Sequence, residues 1–372
     1  MRDGDDDEFL STSIQALASA PGPDALDGLG WWDLLGDLGD ADARDAAFAV
    51  FRAQGRTLAD SPALGGLLAQ PYLAHTAIAP GTVVAAIRRE SRRHGPTWVV
   101  VGDIAGRHLL FDEPGSGVHI VGADQVELRP VDVPGRLSIH EVSYKPSAQP
   151  LVLDSTVADE ARARSTFLGR VAAASEMLGA AEQTVALATA HATDRVQFGQ
   201  PIGTFQAVRH LLAWAKTDCT AIDAVVRKAL LLLDRPPPHY GEVLKALAGR
   251  NGRRACERSL QVLGGIGFTA EHVHHHHHSR VLALDALLGS SAALTHDLGT
   301  DQAGIRGKHL TTNSVVDLAG DRATVVSDFA FLAFDEGGLV PSLAGRYHDE
   351  LQRVDGRWQI HRRDAVQLRD RT

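Results

Sequence analysis

The chain has 372 residues, of which 44% are hydrophobic, so it is long enough for roughly two to three domains with ordinary apolar cores. The formal net charge of −9 argues against nucleic acid as a partner, because neutralising phosphates needs a basic face. Two cysteines are too few for a disulfide framework, and no apolar run approaches the ~20 residues of a membrane helix. With no signal-peptide pattern at the start, we expect a cytoplasmic protein that does not enter a membrane.

The first part of the chain is predicted to hold a helical region and then a β-rich region. Residues 1–8 are strongly acidic and are expected to form a disordered tail. A helical pattern follows to about Leu73, and a further helix is expected over Thr82–Arg93. Five β-branched segments then alternate with turns, at Thr97–Val101, Arg107–Phe111, Val118–Val121, Val126–Pro130 and Arg136–Val142. We therefore predict an N-terminal helical region over 1–77 and a β-rich middle domain over 78–153.

The next segment, 154–298, is predicted to be an antiparallel four-helix bundle. Apolar residues recur there at spacings of three and four, as on one face of an amphipathic helix. Pro236–Pro238 ends the second helix, Gly264 and Gly265 end the third, and the fourth runs from about Glu271 to Leu288. Long helices with short connections form bundles of this kind.

The last segment, 299–372, changes to a period of two, which predicts an antiparallel sheet. The expected strands are Ser314–Leu318, Arg322–Phe334, Arg346–Arg353 and Arg357–Leu368. The fold class is therefore α+β and multidomain: N-terminal helices, a small β region, a four-helix bundle and a C-terminal curved sheet.

Two stretches of the bundle carry groups suited to a phosphate-bearing cofactor. The first, Asp194–Gln206, combines an arginine, several glutamines, two phenylalanines and two glycines. A guanidinium presents a planar fork to phosphate oxygens, and glycine allows close backbone approach. The second, Gln261–Thr269, contains three glycines that can expose backbone N–H groups. Either stretch alone suits an ordinary helix connection, but together they favour a cofactor site.

These two stretches, with Glu271 and His272 after them, resemble the C-terminal helical domain of the acyl-CoA dehydrogenases over about 154–295. The resemblance implies an FAD-binding homo- or hetero-oligomer that acts on acyl-CoA or a similar thioester, with another acyl-CoA dehydrogenase-like subunit as partner. It implies that Arg195 contacts the FAD pyrophosphate of a neighbouring subunit. The other residues that it places at FAD are Gln197, Phe198, Ile202, Phe205, Gln206, Gln261, Gly265 and Ser290.

The catalytic half of the family pattern is absent from this sequence. The reaction needs a carboxylate that removes the proton α to the thioester carbonyl. At the two positions from which the family supplies it, this sequence has Leu288 and Arg250. Asp285, three residues before Leu288 on the same predicted helix face, is a candidate substitute. The segments that support the flavin ring and the substrate in the family are also missing from the middle domain.

A histidine run and the C-terminal sheet offer two further interpretations. His274 and His278 share a helix face, but five consecutive histidines point all round the helix, so a solvated helix start is favoured over a metal site. The last 65 or so residues resemble a partial SnoaL-like cone of the NTF2-like fold, in which His309, Tyr347 and His348 are candidate pocket groups. A structural or vestigial sheet is favoured over catalysis there.

Three functions therefore remain open. The chain is an acyl-CoA dehydrogenase-like flavoprotein with an eroded catalytic base, or a non-catalytic subunit that completes the FAD sites of a heterotetramer. The third alternative is a small-molecule isomerase, dehydratase or binding protein that works through the C-terminal sheet.

Overall fold

The computed structural model of the chain describes residues 3–19, 23–74, 76–89, 96–104, 106–113, 117–144, 153, 155–301, 307–335, 338–354 and 356–367. The chain divides into two compact units, Met1–Thr295 and His296–Thr372. None of the described helices is both long and apolar enough to cross a membrane.

Five helices form the N-terminal region of the first unit. They are α1 (Asp3–Ser19), α2 (Pro23–Gly28), α3 (Trp31–Gly36), α4 (Ala41–Thr57) and α5 (Ala63–Leu73). Asp40 begins α4, since its side chain accepts hydrogen bonds from the N–H groups of Asp42 and Ala43. The prediction of a disordered tail over 1–8 is wrong from Asp3 onward, because α1 already begins there. Acidic residues suit the first turn of a helix, where the N–H groups lack intrahelical partners.

The middle region consists of two small sheets packed on each other. One contains β1 (Val83–Ala85), β4 (His108–Glu113) and β5 (Gly117–Val121), and the other contains β2 (Ile87–Arg89), β3 (Thr97–Val101), β7 (Ile139–Tyr144) and β6 (Val126–Val131). Strand β1 pairs with β4 in parallel, and the remaining pairs are antiparallel. The predicted helix over Thr82–Arg93 is wrong over 82–89, where β1 and β2 lie, and its last four positions lie outside the described residues. The apolar run Val83–Ala86 is too short to distinguish the helical period of 3.6 from the strand period of two. Its β-branched residues favour the strand.

The four-helix bundle has the predicted order and bounds close to those expected. Its helices are α6 (Ser155–Asp194), α7 (Gln206–Leu231), α8 (Tyr240–Leu263) and α9 (His274–Ala286), and α10 (Ser291–Asp301) follows. Helix α4 also packs on α6 at very short range: a Cβ at Gly55 would meet the backbone of α6, and one at Gly179 would meet the backbone of α4. These two glycines allow the N-terminal helices and the bundle to share one apolar core.

A buried ion pair joins the three parts of the first unit. Arg280 of α9 is fully buried and donates from Nε to Glu176 Oε1 of α6 at 2.6 Å. Its other nitrogens donate to the backbone oxygens of Ala59, Gly135 and Arg136. The guanidinium thus ties the end of α4 and the loop before β7 to the bundle.

The second unit contains four antiparallel strands in sequential order. They are β10 (Gly307–Ala319), β11 (Arg322–Asp335), β12 (Gly338–Val354) and β13 (Arg357–Gln367). Each pairing carries a register shift, between Thr312 and Val315 on β10, Phe331 and Leu332 on β11, and Glu350 and Leu351 on β12. Such irregularities increase the local twist, as expected for a curved sheet. The predicted α+β fold class is confirmed.

Candidate functional site

The stretch between α6 and α7 forms a short β-hairpin, here called the arm (Arg195–Phe205). Strands β8 (Val196–Gln197) and β9 (Gln200–Pro201) pair across a turn at Phe198 and Gly199. Both turn residues have positive φ, 54° and 80°, as a two-residue hairpin turn requires. The Phe198 ring is 93% exposed and meets the Phe205 ring edge-on at a centroid distance of 6.2 Å. The tip of the arm therefore presents an aromatic ring to solvent from a turn whose two residues both have positive φ.

The structure brings the base of the arm and the second predicted stretch together. Val262 and Leu263, at the end of α8, form a small apolar cluster with Ala188 and Ala192 of α6, and Ile202 of the arm packs against it. The 3₁₀ turn Gly264–Phe268 continues from α8, and its Phe268 is 76% exposed. The two stretches are therefore neighbours at one end of the bundle. Their separation in the sequence did not by itself imply this contact.

Most side chains predicted at the cofactor are available at this surface. The guanidinium of Arg195 makes no hydrogen bond or ion pair with the described residues, and a Cβ at Gly265 would meet only open space. A free guanidinium beside exposed amides and aromatic rings fits the pyrophosphate and ring system of a dinucleotide. The exposed members of the predicted set are Arg195, Gln197, Phe198, Gln206, Gln261 and Gly265, and the half-buried members are Ile202, Phe205 and Ser290.

Ser290 belongs to a different part of the bundle, the turn between α9 and α10. Its Oγ accepts a hydrogen bond from the N–H of Ala293 at 3.2 Å, so it caps α10. The preceding residues, Leu288 and Gly289, both have positive φ, 57° and 97°. Leucine is rarely found in this region, so the surrounding contacts must hold the turn in place.

Three charged side chains brace this turn. Arg170 Nε donates to the Leu288 carbonyl at 3.1 Å, while its Nη1 pairs with Glu242 Oε1 at 2.5 Å. The fully buried Lys245 donates to the carbonyls of Asp285 at 3.0 Å and Gly289 at 3.1 Å. Burial lowers the pKa of Lys245 to about 8, although the nearby Asp285 carboxylate opposes that shift. The backbone of the turn is consequently fixed from α6 and α8 together.

Asp285, the tentative substitute base, is held by the same turn. Its Oδ1 accepts from the N–H of Ser291 and its Oδ2 from the Ser291 hydroxyl, each at 3.0 Å, and Oδ1 lies 3.6 Å from Lys245 Nζ. These contacts give the carboxylate a structural role at the start of α10. Its assignment as a base stays a prediction.

Leu288 lines a cavity of about 260 Å³ between α5, α6 and the middle region, here called the Leu288 cavity. Most of the wall is apolar, and a Cβ at Gly169 of α6 would meet Leu288 Cδ1 at 2.7 Å. Arg250, by contrast, is exposed on α8 and does not line this cavity, although the neighbouring Gly249 packs against Asp285. The lining residues are Leu68, Tyr72, Ala85, Ala86, Ile87, Arg88, Trp98, Leu110, Asp112, Arg162, Ser165, Thr166 and Leu288.

One wall of the Leu288 cavity is polar, and no pattern in the sequence indicated it. Arg162 of α6 donates two parallel hydrogen bonds to the Asp112 carboxylate, from Nε to Oδ2 at 2.6 Å and from Nη2 to Oδ1 at 2.7 Å. The Tyr72 hydroxyl donates to Asp112 Oδ2 at 2.7 Å. Burial, followed by the hydrogen bond to Asp112, raises the pKa of Tyr72 far above its usual value. The three residues come from separate elements, α5, β4 and α6, so no sequence motif could reveal them.

The histidine run is less solvated than predicted. His274 and His277 are buried, with ring nitrogens bonded to the carbonyls of Cys256 at 3.0 Å and Gly55 at 3.2 Å. Burial lowers the pKa of each of these two rings to about 4. Among the described residues, no group of three or more His, Cys, Asp or Glu side chains could hold a metal ion.

In the second unit, the two candidate pocket groups that the structure describes, Tyr347 and His348, do not converge. Tyr347 stacks on Phe329 at 4.3 Å, and the guanidinium of Arg363 lies 4.4 Å over its ring. The next residue, His348, points to the opposite face of β12, because side chains alternate along a strand. The side chain of His309 lies outside the described residues.

Two family models match the chain. The model described as acyl-CoA dehydrogenase, C-terminal domain, matches residues 162–300, and the model described as SnoaL-like domain matches residues 260–364. These matches confirm both resemblances seen in the sequence. The second model reaches back into the bundle, well before position 307, where the sequence resemblance to that fold begins.

Known acyl-CoA dehydrogenases resemble the chain over most of its length. "Acyl-CoA dehydrogenase IpdE2" of Mycobacterium tuberculosis is 31% identical over 265 residues, which cover 68% of this chain and 77% of that protein. "Acyl-CoA dehydrogenase FadE34" of the same organism is 29% identical over 256 residues, which cover 66% of this chain and 35% of that longer protein.

Solved structures with the same fold cover about four fifths of the chain. Butyryl-CoA dehydrogenase from Megasphaera elsdenii superposes with a TM-score of 0.64 at 16% identity, covering 81% of this chain and 98% of that one. A variant of the Tcur3481-Tcur3483 steroid ACAD gives a TM-score of 0.64 at 20% identity, with coverages of 80% and 98%. The ChsE4-ChsE5 complex from Mycobacterium tuberculosis gives 0.60 at 18%, with coverages of 82% and 98%.

Proposed function

The chain belongs to the acyl-CoA dehydrogenase family, and from that premise we propose that it is a flavoprotein subunit that helps to bind FAD but carries no catalytic base of its own. The observation that carries this proposal is the side chain of Leu288. It lines the cavity beside a turn that three charged residues hold in a strained conformation, yet it cannot accept a proton.

The arm and the glycine turn support the FAD part of the proposal. Arg195 would pair with the pyrophosphate, and Phe198 and Phe205 would pack against the ring systems. Gln261 and Gly265, next to the apolar cluster that joins the two stretches, would hold the adenosine end. When bound, FAD accepts the hydride in α,β-dehydrogenation of an acyl thioester.

The carboxylates near Leu288 support the second part of the proposal, that the chain carries no catalytic base of its own. Of the described residues that line the Leu288 cavity, Asp112 alone is a carboxylate, and it accepts hydrogen bonds from Arg162 and Tyr72. Asp285 is engaged by Ser291 and Lys245. Both carboxylates already hold parts of the structure together through hydrogen bonds and a nearby cation, so neither is placed as an unengaged base.

The exposed arm favours an oligomer in which these residues reach FAD across a subunit boundary. Phe198 at the tip of the arm is 93% exposed and Phe268 of the neighbouring glycine turn is 76% exposed, so the two FAD-binding stretches each present an aromatic ring outward. Two of the structural neighbours are named as pairs of different proteins. We propose a homo- or hetero-oligomer with another acyl-CoA dehydrogenase-like subunit, which would supply the base.

We further propose four functional segments, 1–77, 78–153, 154–298 and 299–372, of which the third carries the FAD-binding residues. The last would serve as an accessory sheet. The opposite orientations of Tyr347 and His348 disfavour its use as an independent isomerase or dehydratase site.

The decisive experiment compares the chain alone with the chain co-expressed with a candidate partner subunit. Flavin absorbance and its bleaching by acyl-CoA would be recorded for both preparations. We expect flavin in the complex, and bleaching only there. Bleaching by the chain alone would contradict the missing-base proposal, and absence of flavin from both preparations would contradict the flavoprotein proposal.

A further inference from the structure

The polar wall of the Leu288 cavity limits which acyl groups can lie there. A ligand that fills the cavity must cover Asp112, whose side chain is only 11% exposed, and Arg162, whose side chain is 37% exposed. Covering hydrogen-bonding groups with methylene groups removes water without replacing its hydrogen bonds, which disfavours a purely aliphatic chain.

Asp112 still has room for one more donor. An ionised carboxylate offers about four lone-pair sites. Arg162 and Tyr72 use three of them, two on Oδ2 and one on Oδ1. Asp112 can therefore accept one more hydrogen bond, mainly at Oδ1, and a ligand O–H group can donate it.

Arg162 also keeps donors that the described residues do not use. Three of its five N–H groups are bound, two by Asp112 and one by Asp159 at 2.5 Å. A hydroxyl both donates and accepts, so it can satisfy Asp112 and Arg162 together. A ligand carboxylate beside Arg162 meets the carboxylates of Asp112 and Asp159, and like charges at that distance repel each other. The other guanidinium that lines the cavity belongs to Arg88, an exposed residue whose charge solvent screens.

We propose that the Leu288 cavity binds acyl groups that carry a hydroxyl, with Asp112 as the acceptor that selects it. This inference rests on the proposed function, dehydrogenation of an acyl-CoA thioester, and places the acyl group of that thioester in the Leu288 cavity. Tyr72 has a positioning role: its hydroxyl donates a hydrogen bond to Asp112 Oδ2, which holds the carboxylate in place and leaves Oδ1 able to accept from the ligand.

The test is a binding series on the full chain, alone and in its complex. Short straight-chain CoA thioesters of matched length would be titrated by calorimetry in three forms, with a methyl, a hydroxyl or a carboxylate at the distal end. The hydroxyl form is expected to bind about 10-fold more tightly than the methyl form, as one hydrogen bond to a charged group allows. The carboxylate form is expected to bind most weakly.

Variants identify the group responsible. Asp112→Asn should abolish the hydroxyl preference, whereas Tyr72→Phe, which frees a lone pair on Asp112, should keep it. Asp132→Asn, at an exposed position in the same region, serves as the matched control and should change nothing. Thermal unfolding of each variant checks that the fold survives.

The possible outcomes separate the two proposals. Equal binding of the methyl and hydroxyl forms, or preference for the carboxylate form, would overturn the hydroxyl inference and leave the acyl-CoA site standing. If no thioester of any form binds to the chain or its complex, both the site and the inference are overturned.

Discussion

Leu288 lies directly against Gly169, so that a Cβ on the glycine would come within 2.7 Å of Leu288 Cδ1. The contact places the side chain of residue 288 at the junction of α6 and the α9–α10 turn, facing the cavity. Arg170 donates to the Leu288 carbonyl and Lys245 to that of Gly289, so the backbone of the turn is held by hydrogen bonds that do not involve the leucine side chain.

Replacing Leu288 by glutamate should therefore introduce a base without rebuilding the turn. The apolar wall would raise the pKa of the new carboxyl and make it a better proton acceptor. Bleaching of the flavin by acyl-CoA is expected to accelerate at least about 100-fold, the low end of what a positioned base contributes. Leu288→Gln, similar in size but not basic, should give no acceleration, and equal rates for the two variants would contradict the assignment of position 288.

The arm should matter for FAD and not for folding. Arg195→Ala is expected to weaken FAD retention about 10- to 100-fold, the effect of losing one charge-assisted hydrogen bond to phosphate. Its melting temperature without FAD should not change, because Arg195 is exposed and its guanidinium makes no hydrogen bond or ion pair with the described residues.

Arg254→Ala is the matched control for the arm. Arg254 is exposed on α8, away from the arm sequence, and its loss removes the same formal charge. Flavin content after gel filtration measures both variants. An equal loss of FAD in the two would assign the effect to net charge and contradict a site at Arg195.

The sequence predicted those parts of the molecule whose signals are local. Helical periodicity identified α6 to α9, and alternation identified the four C-terminal strands. Thr82–Arg93 was misassigned because a run of a few apolar residues has no distinctive period. The grouping of Tyr72, Asp112 and Arg162 could not be predicted, because the contacts link residues 40 and 50 positions apart.

Arg250, at the second position from which the family supplies the base, shows that counting residues along the sequence does not identify which residues line the cavity. Counting along the chain from Gly264 selected Arg250, which the structure leaves exposed. The residue that approaches Leu288 is Gly169, far earlier in the chain. A glycine has no side chain to signal a site, so its place beside the cavity becomes visible only when α6 is packed against the turn.

The two buried histidines predict acid sensitivity. The pKa of His274 and of His277 is about 4 in the folded chain, below the ordinary value of 6.5. Between these pH values the unfolded chain binds more protons, so stability is fully present above pH ~6.5 and falls as the pH drops toward 4. Urea unfolding at a series of pH values should show a slope of up to about two protons in this window.

Substituting both histidines tests the origin of that slope. The variant His274→Gln/His277→Gln is expected to be less stable at neutral pH, since it loses two packed rings. Its stability should vary less than that of the original chain between pH ~4 and ~6.5. An unchanged slope would assign the acid sensitivity to carboxylates instead.

Arg280 and Glu176 provide the sharpest test of how the first unit is held together. Both side chains are buried, and Arg280→Met would leave the Glu176 carboxylate without its cation and three carbonyls without a donor. We expect a loss of about 3–5 kcal/mol of unfolding free energy, as for other buried pairs broken on one side. The double variant Arg280→Met/Glu176→Met should recover part of this loss, because no charge then remains buried alone. If the double variant is less stable than Arg280→Met, the carbonyl contacts of Arg280, and not its pairing with Glu176, dominate the stability of the junction.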